Sequence, residues 1–255
     1  MIQQVIKVAV LLFVLNISVQ AGVDKVQFKI MNLAIEQTVI IPNIIKHFVS
    51  VKMHFKVARS KALLEKDIEI FERINREFEA MTLDDAEVKL RKNNAKLWQL
   101  AKQAAMETPK NETLGELKKK LPAVFKNRMM LAKHAQEKSG NKKAKVFLLL
   151  GKLTALPQKF AGMYMSLKHA KGKERERIVG VIKKYADAYK GALGKIKEKV
   201  GEKSAIKKIE KDMSFFEFAL APERVFMPAL IMKKTDVMSA NAKKIKEMIL
   251  KKMKK

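Results

Sequence analysis

Apolar and polar positions alternate along this chain with helical, not strand, spacing. The clearest case is Leu64, Ile68, Phe71, Ile74 and Phe78, spaced by three and four. Such spacing puts one apolar stripe on one face of a helix. Glu65, Asp67, Glu69 and Glu72 lie off that stripe. Ahead of it, Val23 to His54 reads as one long helix, with Val26, Ile30, Leu33, Ile41, Ile44, Ile45 and Phe48 recurring. Pro42 lies inside that helix, where a missing backbone donor predicts a kink. Lys56 to Lys61 reads as a basic turn. Thr82-Leu83-Asp84-Asp85 supplies capping chemistry for a third helix running to about Met106. Thr108-Pro109-Lys110-Asn111 breaks the pattern. A fourth helix, Leu114 to Lys138, carries Pro122 within it, and Ser139-Gly140-Asn141 ends it.

The second half follows the same plan. Lys145 to His169 is a long apolar helix containing Pro157. Lys171-Gly172-Lys173 forms a basic turn. Ile178, Ile182, Tyr185, Ala188 and Ala192 each stand 114 positions after a member of the first stripe. A further helix spans about Lys203 to Leu220 and ends at Ala221-Pro222. The last segment, Glu223 to Lys255, has Pro228 near its start and a basic end, KKIKEMILKKMKK. A repeat of a little over a hundred residues with matching helix order points to an internal duplication. The expected fold is all-α, with two tandem antiparallel four-helix-bundle units whose long first helices are kinked. Their expected bounds are 22–140 and 141–255.

Composition agrees with helix over sheet. Gly (10) and Pro (6) are scarce, and β structure needs frequent turns. Apolar residues make up 48% and charged residues 31%, a globular balance. Residues 1–21 read as a secretory signal: one lysine, the apolar run Val8 to Leu15, and Val19-Gln20-Ala21 before the cleavage point. That apolar run is shorter than the roughly 20 residues a bilayer needs. The expected location is therefore periplasmic or secreted.

The charge narrows the partners. Lys plus Arg total 54 against 26 Asp plus Glu, a net charge of +28. Such a field attracts anionic surfaces. The clusters are Lys142, Lys143 and Lys145; then Lys171, Lys173, Arg175 and Arg177; then Lys243 to Lys255. They make an anionic membrane surface one candidate partner. Aromatic residues are only 7% and do not interleave with the lysines, which argues against single-stranded nucleic acid. The chain has no cysteine, which excludes disulfides, thiolate metal sites and cysteine nucleophiles. His47, His54, His134 and His169 are too scattered to mark a metal site, and the 15 methionines read as flexible core filler. No HExxH, GxSxG, phosphate-loop or dinucleotide signature occurs. Neither an enzyme activity, a cofactor nor a metal is expected.

One stretch carries a resemblance. Gly151-Lys152-Leu153-Thr154-Ala155-Leu156-Pro157-Gln158-Lys159-Phe160-Ala161 resembles the helix-opening signature of the type IV pili methyl-accepting chemotaxis transducer N-terminal (PilJ-type) domain, found also in nitrate/nitrite sensor kinases. Gly151, Leu156, Gln158 and Ala161 match that signature, and Lys152 and Lys159 stand where it has arginines. Leu153, Thr154 and Pro157 depart from it. An earlier stretch, Asn32-Leu33-Ala34-Ile35-Glu36-Gln37, keeps the Asn-Leu-Ala entry and the glutamine, with Glu36 and Thr38 in place of arginines. Ala62 to Phe78 resembles the second helix of the family. The resemblance implies a helical bundle outside the cytoplasm that senses a small anionic ligand or works with a membrane-bound signalling partner. The candidate ligand-binding residues are Gln37, Gly151, Lys152, Thr154 and Gln158.

Overall fold

A computed structural model describes residues 2–140, 144–168, 170–200, 203–220 and 226–253. Side chains are described from residue 25 onward, except at 199–200, 203–205, 213, 216–217 and 250–253. The expected cleavage point at Val19-Gln20-Ala21 thus lies outside the described side chains. Lys142, Lys143 and the Ala221-Pro222 break lie outside the described residues altogether.

The described residues are all-helical. The elements are α1 (Ile2–Lys52), α2 (Val57–Glu79), α3 (Asp85–Met106), α4 (Asn111–Lys138), α5 (Ala144–Met165), α6 (Gly172–Val200), α7 (Lys203–Ala219) and α8 (Pro228–Met253). A short 3-10 turn, Ser166–Lys168, follows α5. No helix among the described residues is long and apolar enough to cross a membrane. Several boundaries move from those expected. Helix α1 begins at Ile2, not near Val23. Helix α2 begins at Val57, so Arg59 to Lys61 are helical, and the turn itself is Met53 to Lys56. Asp84 caps α3: its side chain accepts from the Glu87 backbone, and Glu87 reciprocates on the Asp84 N–H at 2.9 Å.

Two of the eight helices differ in kind from the rest. From Ile30 to Val51, α1 exposes Glu36 alone, because other helices cover it on every side. It packs against α2, α4 and α5. Helix α5 packs in turn against α1, α6 and α8, and from Leu150 to Met165 it exposes Lys152 alone. The other helices are amphipathic. All five residues of the α2 stripe are buried. On α6 the expected stripe holds at Ile178, Ile182 and Ala192 but fails at Ala188, which is exposed. Tyr189, one position on, is buried instead. The 114-residue correspondence therefore breaks where Ile74 is fully buried. Two large apolar clusters result, one centred on α1 to α4 and one on α5 to α8.

Helices α1 and α5 run parallel and close. Phe28 meets Phe147 edge-on at 5.1 Å between ring centroids. Farther along, Gly151 faces Ile35, and Gly162 faces Ile45 and the Lys46 backbone. A β-carbon at Gly151 would stand 2.6 Å from the Ile35 Cγ2 methyl, so the glycine permits the approach. Glycine in a helix interior is unfavourable by roughly 0.5–1 kcal/mol relative to alanine, and here close packing accounts for it.

Gly151→Ala is expected to destabilise the protein by about 1–3 kcal/mol in urea unfolding, as overpacking does. Ile35→Leu keeps the volume but removes Cγ2. Combined with Gly151→Ala, it is expected to restore most of the loss. Additive losses in the double variant would contradict the contact.

Candidate functional site

The α1–α5 seam holds a buried polar network. Lys46 sits on the buried face of α1 and is 2% exposed. Burying an ammonium is costly unless it is paired. Its Nζ donates to Gln158 Oε1 of α5 at 2.6 Å and to Asp236 Oδ1 of α8 at 2.8 Å. Gln158 Nε2 lies 3.1 Å from the same Asp236 oxygen, 2.9 Å from Ser239 Oγ and 3.3 Å from the Thr235 carbonyl. Ser239 donates to the Thr154 carbonyl at 2.8 Å, and the Thr154 hydroxyl donates to Leu150 O. The Gln158 amide is thereby engaged at both ends. Its work is to join α1, α5 and α8.

The structure brings Thr154 and Gln158 into one network and leaves the other expected residues apart. Gly151 is a packing notch. Lys152 is exposed. Gln37 lies in the first cluster, where Nε2 donates to Phe71 O at 3.1 Å and to Asn75 Oδ1 at 2.9 Å. Arg128 of α4 donates to the same Asn75 oxygen at 2.7 Å. Turned to suit its neighbours, the Asn94 amide accepts from Arg128 Nη2 at 3.1 Å and donates to Val124 O at 3.3 Å. Arg128 also lies over the Phe78 and Phe71 rings, 4.9 and 5.8 Å from their centroids. Helices α1 to α4 thus each give one residue to a buried polar layer. Burial, with Arg91 adding repulsion, pulls the Arg128 pKa below its usual value.

Beside the seam lies a half-enclosed cavity of about 160 Å³. Ile41, Pro42 and Ile45 of α1 face Lys159, Gly162 and Met163 of α5 across it. Pro122 and Phe125 of α4 and Tyr185 of α6 complete its walls, and Gln158 adjoins it. Local sequence explains the space. Gly162 contributes no side chain, and Pro42 and Pro122 each interrupt a helical hydrogen-bond ladder at the cavity wall. The stretch Gly151 to Ala161 thus gives Gln158 and Lys159 to the lining, while the α1 lining residues Ile41, Pro42 and Ile45 follow Asn32 to Gln37.

Lys159 is the one cationic side chain in that lining. Its Nζ lies 3.4 Å from the Phe125 ring centroid and 5.9 Å from that of Tyr185, with no carboxylate in ion-pair range among the described residues. Ring faces attract cations, but far less than a paired carboxylate would in a desolvated site. Burial pulls the Lys159 pKa down from 10.5 to about 8. Burial also pushes the Tyr185 hydroxyl up. In the sequence, Lys159 stands out only as a replacement for an arginine. Its setting depends on Phe125 and Tyr185, which are distant in sequence.

A second cluster joins Asp84, Glu87 and His134, whose candidate ligand atoms lie within 4.8 Å of one another. The Asp84 carboxylate is already engaged by His134 at 2.9 Å and Lys138 at 2.7 Å. Desolvation raises its pKa, but these hydrogen bonds and the Glu87 backbone outweigh it and hold the group far below the carboxylate range. This is an ion-paired helix cap tying α4 to α3.

Compared with models of protein families, with curated proteins and with solved structures, the chain matches none.

Lys159 has a definite pH signature. A pKa lowered on folding penalises the native state below about pH 8, and the penalty disappears as pH rises towards 10.5. Lys159→Met is therefore expected to raise stability at pH 7 by up to roughly 3 kcal/mol, less whatever solvent screening and ring contacts offset. The gap from the unmodified protein should close between pH 8 and 10.5. A gap independent of pH would place the effect in packing and not in charge.

Proposed function

We propose that this is an exported, non-enzymatic protein built from two four-helix units, α1–α4 and α5–α8, and that it binds a small ligand in the cavity between their first helices. One observation carries the reading: a partly enclosed apolar cavity with a single desolvated cation, walled by α1, α4, α5 and α6. Ligand sites are commonly concave, mostly apolar and fitted with few polar groups, often between packed units. Of the two stretches resembling chemotaxis-transducer input domains, Gly151 to Ala161 gives Gln158 and Lys159 to this cavity, and α1 reaches it just beyond Asn32 to Gln37, which supports a sensory role over a purely structural one. A ligand seated there touches both units and would bias how they pack. Such a change would be read by a membrane-bound signalling partner.

The test needs no knowledge of the natural ligand. Xenon under pressure and a panel of one-ring compounds are expected to shift the backbone amide resonances of Ile41, Ile45 and Met163. Compounds held at ten times their Kd should raise stability by about 1.4 kcal/mol, or a few degrees in Tm. Met163→Trp, which fills the cavity, should abolish these effects. No response in the unmodified protein, or an equal response in the filled variant, would contradict the reading.

A further inference from the structure

The cavity also specifies what kind of molecule it takes. It is walled mainly by Ile41, Ile45, Phe125 and Met163, with Lys159 supplying the charge. The Gln158 amide is spent on Lys46, Asp236 and Ser239 and adds no free polar group. A bare inorganic oxyanion would lose its hydration against hydrocarbon and recover one ammonium in return. A neutral apolar molecule would fill the space but leave Lys159 desolvated and without a counter-charge. A cation would face like charge. A molecule with an apolar body and one carboxylate satisfies both the walls and the ammonium. About 150 Å³ suffices for one benzene ring, so a cavity of about 160 Å³ limits the body to about that size.

The surroundings favour the same charge. Lys118 stands one helical turn from Pro122, Lys52 about two turns from Ile45, and Arg177 about two turns from Tyr185. Burial lowers the Lys118 pKa, the Glu174 charge raises it in part, and the nearby Arg177 and Lys52 charges lower it further. Glu174, the acidic neighbour there, is held by both arms of Arg177 at 2.7 and 2.8 Å. The flank of the cavity is thus net basic and draws an anion toward it.

We propose that this cavity is the binding site of a compact apolar monocarboxylate, its carboxylate paired with Lys159 and its hydrocarbon among Ile41, Ile45, Phe125 and Met163. The proposal rests on the ligand-binding reading above and adds the ligand's class. Lys159 is partly neutral near pH 8, so pairing draws a proton onto it and binding takes up protons from the buffer.

Benzoate and nitrobenzene separate the two claims, being of the same shape and differing in charge. In titrations of the full chain followed by amide shifts and by heat, benzoate is expected to perturb Ile41, Ile45 and Met163. It should bind at least tenfold tighter than nitrobenzene. At pH 8 its binding heat should change with buffer ionisation enthalpy, reporting proton uptake. Lys159→Met should lower benzoate affinity at least tenfold and leave nitrobenzene unchanged. Equal binding of the two probes, or benzoate binding without proton uptake and unaffected by Lys159→Met, would overturn the carboxylate assignment while leaving a ligand cavity in place. No perturbation by benzoate, nitrobenzene or xenon would overturn both.

Discussion

Helices α1 and α5 lie side by side, parallel, at a separation that tolerates no side chain at Gly151. The rest of the molecule depends on that contact. Each helix is covered nearly all round because each serves two neighbourhoods: its own cluster and the other's first helix. Lys46 shows the consequence. It belongs to α1 by sequence, yet its charge is satisfied by Gln158 and Asp236, 112 and 190 positions away. The lysine of this pair is buried and Asp236 is half exposed, and such an ion pair is weak evidence for stability. Its stronger effect is on register. An unpaired Lys46 would be costly, so sliding α1 along α5 by one turn is disfavoured.

The same contact makes the cavity. Gly162 sits one side chain short of filling the space beside Ile45, and Pro42 and Pro122 prevent regular ridges from closing it. Where Lys159 enters that space, it finds two ring faces and no acid among the described residues. The result is a low-charge, low-polarity chamber next to a polar lock. The two must be kept distinct. Gln158 is part of the lock and also borders the chamber, and Lys159 beside it faces the chamber.

Which features were legible in the sequence follows the range of the forces involved. The α2 stripe from Leu64 to Phe78 and the Asp84 cap were readable, because periodicity and capping act within a few residues. So was the apolar character of the two central helices. The mismatch at Ala188 was not readable, because Tyr189 is buried by its neighbours in space and not by spacing alone. Arg128, Lys46 and the meeting of His134 with Asp84 were equally hidden. Each is a polar residue in a helix, and only tertiary partners decide whether such a residue faces water. Lys152 and Lys159 look alike in sequence, both standing in for arginines, yet one is solvated and the other is desolvated between aromatic rings.

If α1 and α5 couple the two clusters into one structure, the chain must melt as a unit. Differential scanning calorimetry measures this directly by comparing the van't Hoff enthalpy with the calorimetric enthalpy. A single transition with the two enthalpies equal is expected. Two resolved transitions, or a van't Hoff enthalpy near half the calorimetric value, would show that the clusters unfold independently and that the seam does not bind them together.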